Sequence, residues 1–411
     1  MKIYQPQIHQ LSNGIRVVYL NIPGQVAHLG YFFNAGSRYE PQDKIGLAHF
    51  LEHAVFKGTV KRKAIHVLSR IDAVGGELNA YTAKEEMCLH ASFTKDHTLR
   101  AIELLSDIVK NATFPEKELL KEKEVVLDEI NSYLDNPSEK IFDDFEALFF
   151  QNNPLGNNIL GTPESVQSIT SDDLKSYINS HFTAENLVIS FVGNIPYSRI
   201  ENWLENHIGD LRKGEKPSII VPFSDYQPFH TIRTEANYQA HVLMGGPAPS
   251  YHNDDRVAMS LLMNILGGPA LNSRLNISVR EKYGLAYNVE ASYTSYADTG
   301  FWQIYLGCEP SNINKAMRLI QKELHMMQDR PMTEVHLKRA KQQLKGQMAL
   351  GMDSHSGWMQ GLGKSLLAFN QIDTIEEIHR EIDLISADKI HELTNKYLAD
   401  SLQSTLVFDC E

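Results

Sequence analysis

The segment His49-Phe50-Leu51-Glu52-His53 sets two imidazoles four residues apart, with a carboxylate between them. On a helix, residues i and i+4 share a face, so both rings can reach one cation. Neutral imidazole nitrogens suit zinc, and a catalytic zinc takes three protein ligands and leaves a fourth position open. Glu52 lies on the same turn, near enough to polarise a zinc-bound water rather than to ligate the metal. The order His-x-x-Glu-His inverts the better-known His-Glu-x-x-His and serves the same chemistry. Such a five-residue match arises by chance in about one chain of this composition in twenty, so its surroundings have to decide.

A third ligand can be sought by helix phase. In Glu122-Lys123-Glu124-Val125-Val126-Leu127-Asp128-Glu129, the pair Val125 and Val126 is taken to mark the buried face. At 100° per residue, Glu122 and Glu129 then fall within about 10° of that face's centre, while Glu124 and Asp128 point more than about 100° away. Carboxylates on an apolar stripe are costly unless a cation neutralises them. Zinc explains both, with Glu129 as ligand and Glu122 orienting a ligand from behind. Plainer alternatives stay open on these residues alone. The histidines could be solvated or packed in a core, Glu52 could be an exposed helix glutamate, and Glu122 and Glu129 could belong to a charged surface face.

The chain must supply elements to hold such a site. Its 411 residues exceed one compact core, so two domains of about 200 residues are expected. The apolar content of 42% and charged content of 22% are those of a globular protein. A net charge of −12 with no Lys/Arg block argues against a nucleic-acid partner and favours basic over very acidic substrates. No run approaches the roughly 18 apolar residues of a membrane span. Met1 to Leu20 alternates like a strand and has neither a secretory nor a mitochondrial leader pattern. Cys88, Cys308 and Cys410 are odd in number and widely spaced, which suits incidental thiols in a reducing, cytoplasmic setting.

In the first half, strands are expected at 15–20, 28–33, 79–93 and toward the end of 185–193. Helices are expected at 46–55, 64–74, 97–111 and 116–135. Lys213-Gly214-Glu215-Lys216-Pro217, followed by Pro222 and Pro228, suits neither element, so a linker is placed at 213–227 between domains 1–212 and 228–411. The second half repeats the plan, with strands at 239–244 and 283–296 and helices at 255–266, 313–329 and 333–350. That order suggests duplication, although the second half has no zinc motif.

The run from Asn34-Ala35-Gly36-Ser37-Arg38-Tyr39-Glu40 through Gly46-Leu47-Ala48-His49 to Phe56-Lys57-Gly58-Thr59 resembles the signature of the M16 metallopeptidases. That family includes pitrilysin, insulin-degrading enzyme and mitochondrial processing peptidase. Gly75-Gly76-Glu77-Leu78-Asn79-Ala80-Tyr81-Thr82, Val125 to Ile130, Asp135-Asn136-Pro137 and Ile159-Leu160-Gly161-Thr162 are similar to further family segments. So are Leu266-Gly267-Gly268 through Arg274-Leu275 and Arg280-Glu281-Lys282-Tyr283-Gly284-Leu285-Ala286-Tyr287. The likeness spans the chain and is closest to the short two-domain M16B branch.

The resemblance implies an α+β fold of two related α/β domains, each a mostly antiparallel sheet packed with helices. It implies one zinc per chain held by His49, His53 and Glu129, with Glu52 as general base and Glu122 as an outer carboxylate. Asn79 and Ala80 match an edge strand whose backbone pairs with extended peptide, a mode that needs little side-chain recognition. Arg280 and Tyr287 match a substrate-contacting pair; on residue type alone they read as a surface Arg and a core Tyr. Met87-Cys88-Leu89-His90 departs from the Thr, Val and aromatic residues common there, so side-chain preferences near the cleft are open. The implied activity is a zinc-dependent endopeptidase or oligopeptidase acting on peptides or unfolded segments, assembled as a homodimer. The rival reading is a non-catalytic assembly or peptide-binding subunit.

Overall fold

The computed structural model describes residues 4–215, 221–235 and 237–410. Within the expected linker, residues 216–220 lie outside the described residues. The chain forms two compact units that interleave in sequence. One takes the described residues of Met1–Ser132, Asn157–Val221 and Gly351–Thr374; the other takes those of Tyr133–Gly156, Pro222–Leu350 and Ile375–Glu411.

The first unit is built on strands β1 (Gln7–Gln10), β2 (Arg16–Asn21), β3 (Val26–Phe33), β4 (Glu77–Thr82), β5 (Met87–Thr94) and β6 (Leu187–Gly193). Their spatial order is β1-β2-β6-β3-β5-β4. Only β2 and β6 pair in parallel. The 79–93 segment is therefore a hairpin rather than one strand, and its first arm, β4, is a sheet edge. Every residue of β6 is buried, as its continuous apolar run demands of a strand covered on both faces. Leu187, Ile189 and Phe191 face a core that includes Leu47, Phe50, Leu51 and Val126. Val188 and Val192 face the other way, onto Met359 and Leu366 of helix His355–Phe369. That helix comes close because Gly363 has no side chain; a Cβ there would lie 2.2 Å from the Phe32 ring.

The second unit holds β7 (His230–Glu235), β8 (Ala240–Pro247), β9 (Asn288–Ser295), β10 (Gly300–Cys308) and β11 (Ser404–Cys410), ordered β7-β11-β8-β10-β9. Only β7 and β11 are parallel. Matching β2, β6, β3, β5 and β4 to β7, β11, β8, β10 and β9 reproduces neighbours, directions and chain order. The duplication suggested by the sequence is thus a duplication of topology. It extends to a borrowed helix. Pro137–Phe149, from the first half of the sequence, covers β8 and β11 through Phe145 and Phe149, as His355–Phe369 covers β3 and β6. The 283–296 strand is shorter than expected. It begins at Asn288, and a π-helical turn at Asn276–Glu281 precedes it.

Candidate metal centre

Helix Leu47–Ala54 turns Leu47, Ala48, Phe50, Leu51 and Ala54 into the first core and leaves His49 and His53 to share another face. Its start is fixed by backbone. Gly46 adopts φ +90°, a left-handed conformation that favours glycine, and a Cβ there would lie 2.8 Å from the Leu160 carbonyl oxygen. The N–H groups at a helix start lack intrahelical partners. Here Glu40, 7% exposed, accepts from Gly46 N at 3.0 Å and from Ala48 N at 2.7 Å. Burial pushes the Glu40 carboxyl up to about 8, against the Ala48 and Gly46 amides and the Lys84 ammonium, which favour its charged form.

Helix Glu116–Leu134 buries Leu119, Glu122, Val126 and Ile130, a stripe at helical spacing. Val125 is 50% exposed, so the buried face is centred on Val126 rather than between the two valines. Glu122 lies on the stripe. Glu129, with its side chain 45% exposed, stands at the margin. Two turns apart, Glu122 meets Nδ1 of His53 and Glu129 faces Nε2 of both rings.

His49 Nε2 lies 3.6 Å and His53 Nε2 3.5 Å from Glu129 Oε2, and the three candidate ligand atoms fall within 4.8 Å of one another. The rings are 4.8 Å apart between centroids, at 66°. The Glu129 separations exceed those of hydrogen bonds. They approach the roughly 3.4 Å between neighbouring ligand atoms set tetrahedrally about 2.1 Å from a zinc ion. Two imidazoles and one carboxylate also form a donor set found around catalytic zinc. The residues fit the metal.

Burial, reinforced by His53, pushes His49 down to about 4, which favours the neutral ring that a metal needs. Its Nδ1 finds no hydrogen-bond partner among the described residues. His53 is held from behind: its Nδ1 lies 3.0 Å from Glu122 Oε1. The other oxygen of Glu122 lies 2.5 Å from Lys57 Nζ. Burial raises Glu52, with the nearby Glu129 charge acting in the same direction. Thr82, through its hydroxyl and backbone, and His53 favour the charged form. Raising a carboxylate's pKa moves it toward general-base duty.

Asn79 and Ala80 lie on β4, which among the described residues pairs with β5 alone, in register with His90 and Leu89. Ala80 N–H donates to Asn79 Oδ1 at 2.8 Å. The strand is tied to the zinc-motif helix, since Thr82 Oγ1 donates to Ala48 O at 3.4 Å. Arg280 and Tyr287 belong to the other unit. Arg280 sits in the π-helical turn, and Tyr287, 63% exposed, donates to Glu309 Oε1 at 2.5 Å. Tyr287 is thus not the core tyrosine that its type alone suggests. Sequence reasoning missed Lys57, Glu40 and Thr82, all inside the quoted motifs. Asking what neutralises a buried Glu122 was the signal that could have found Lys57.

Residues 16–163 match the family model described as Insulinase (Peptidase family M16), and residues 168–344 match Peptidase M16 inactive domain. An uncharacterised zinc protease of Bacillus subtilis (strain 168) is 32% identical over 401 residues, covering 96% of each chain. The beta subunit of mitochondrial-processing peptidase from Bos taurus is 31% identical over 411 residues, covering 97% of this chain and 83% of that protein. A protease from Helicobacter pylori superposes with a TM-score of 0.91 over 99% of this chain and 100% of that one, at 20% identity. A peptidase M16 inactive domain from Pseudomonas fluorescens gives 0.92 over 99% and 98%, also at 20%; both solved structures speak to the fold alone. The chain belongs to peptidase family M16. Among the described residues, the His49, His53 and Glu129 cluster falls in the stretch matched by the Insulinase model and not in that matched by the inactive-domain model.

Proposed function

We propose that this protein is a zinc-dependent peptidase whose first domain carries the metal on His49, His53 and Glu129, one ion per chain. The observation that carries the reading is the convergence of those three side chains, with Glu52 on the same helix. Bound zinc supplies Lewis-acid polarisation of the scissile carbonyl and acidifies a water. Glu52 accepts the attacking water's proton and returns it to the leaving amine. Glu122 receives the Nδ1–H of His53 and leaves Nε2 free to ligate. The open edge of β4 at Asn79 and Ala80 receives an extended peptide by main-chain pairing, the mode suited to unfolded segments of varied sequence.

Arg280 and Tyr287, in the second domain, are donors suited to a peptide carbonyl or a developing oxyanion. The Bos taurus relative is named as a subunit. For this chain, which has both the zinc motif and the Arg/Tyr pair, we propose a homodimer. No described helix is long and apolar enough to cross a membrane. The proposed setting is the cytoplasm. Incubation with a quenched peptide library, with and without a chelator, tests the reading. Chelator-sensitive cleavage is expected, together with loss of zinc and activity in His53→Ala. A protein that binds zinc and peptide but cleaves nothing would instead be the non-catalytic subunit.

A further inference from the structure

Glu122 is 8% exposed, and such a carboxylate is stable only where its lone pairs are met. Among the described residues its two side-chain partners divide the two oxygens. Oε1 faces His53 Nδ1 at 3.0 Å and Oε2 faces Lys57 Nζ at 2.5 Å. Lys57 follows the zinc-motif helix, in a turn that its own N–H closes onto Ala54 O at 3.0 Å. Its ammonium meets the Glu122 oxygen that the histidine does not use. A cation near a helix C-terminus is also favoured by the helix dipole.

We propose that Lys57 is a positioning residue for the metal centre, acting through Glu122 on His53; the proposal rests on the zinc reading above. The ion pair fixes the plane of the carboxylate and leaves Oε1 available as an acceptor only. Oε1 then requires His53 to carry its proton on Nδ1, which puts the lone pair on Nε2, the nitrogen that faces Glu129 Oε2 at 3.5 Å. Lys57 meets Glu122, which lies outside the His49, His53 and Glu129 cluster. Its contribution is to the affinity and orientation of the site, not to the chemical step. The zinc-motif helix is thus tied at both ends, by Glu40 accepting from the first amides and by the Lys57 N–H closing onto Ala54 O just past the last turn.

The test is zinc affinity, measured by competition with a chromophoric chelator, in the wild type, Lys57→Met, Lys57→Arg, Glu122→Gln and the double variant Lys57→Met/Glu122→Gln. Outer partners of metal ligands are typically worth about 10- to 100-fold in affinity. Lys57→Met should weaken zinc within that range, and Lys57→Arg should recover most of the loss. The double variant should bind no more weakly than Glu122→Gln alone, because a residue that acts only through Glu122 has nothing left to act on. A merely structural lysine would instead give losses that multiply. Should Lys57→Met not fold, Lys57→Gln removes the same charge and carries the same expectation. Lys57→Met affinity within about twofold of wild type, or multiplying losses in the double variant, would overturn the assignment while leaving the zinc reading intact. A wild-type protein that binds no zinc would overturn both.

Discussion

Replacing Gly46 by Ala tests whether crossed backbones set the zinc-motif helix. A Cβ at Gly46 would lie 2.8 Å from Leu160 O and 2.9 Å from Gly161 Cα, and φ is +90°. The left-handed conformation costs an L-residue about 1–2 kcal/mol. Backbone cannot swing aside as a side chain can, so the crowding adds about 1–3 kcal/mol. Gly75, in the same unit, separates the two effects: φ is +73°, but an added Cβ meets nothing within 4 Å. Gly75→Ala should therefore cost about 1–2 kcal/mol, and Gly46→Ala about 2–5 kcal/mol. Urea unfolding followed by tryptophan fluorescence reads both. Zinc affinity should fall in Gly46→Ala, whose strain lies three residues before His49, and stay unchanged in Gly75→Ala. Equal costs within about 0.5 kcal/mol would refute the claim that the crossing fixes the helix start.

Acid should loosen the first unit through His181. Burial pushes this ring down to about 4, partly offset by the Asn34 backbone, against about 6.5 unfolded. Because the folded pKa is the lower one, its contribution is complete above about pH 6.5 and lost as pH falls through about 4. His181→Phe keeps an aromatic ring beside Tyr177 and Tyr39 but cannot titrate, so stability should fall less steeply across that window; an unchanged acid limb would contradict the assignment. If Arg280 and Tyr287 complete the site of the opposite protomer, Glu52→Gln and Arg280→Ala/Tyr287→Phe subunits should complement on exchange. Mixed dimers should recover about half of wild-type activity, one whole site of two. Mixed dimers shown to form but lacking activity would count against action in trans.

The metal cluster was legible because its parts lie where local rules apply. His49, Glu52 and His53 share one short helix, and Glu122 and Glu129 are two turns apart on another, so spacing alone sets their faces. The phase was off by half a residue, since a pair of valines marks a buried face only if both are buried, and Val125 is not. Periodicity alone does not reveal Lys57 as the partner of Glu122, because the ion pair joins segments distant in sequence. The same reason hides the borrowed helices. Pro137–Phe149 and His355–Phe369 carry apolar faces, but no pattern within a helix says which sheet will receive that face. The strand order was equally beyond local reading, while the continuous apolar run of β6 announced a strand buried on both sides.

The central claim is that zinc is held by His49, His53 and Glu129 while Glu52 moves the proton. Zinc content and peptide turnover, measured together in the wild type and Glu52→Gln, test it most directly. Glutamine keeps the shape of glutamate but cannot take a proton from water, so turnover should fall by about 100-fold or more. Zinc should remain at one ion per chain in both proteins. Loss of the metal with Glu52, or turnover that survives its replacement, would contradict the account.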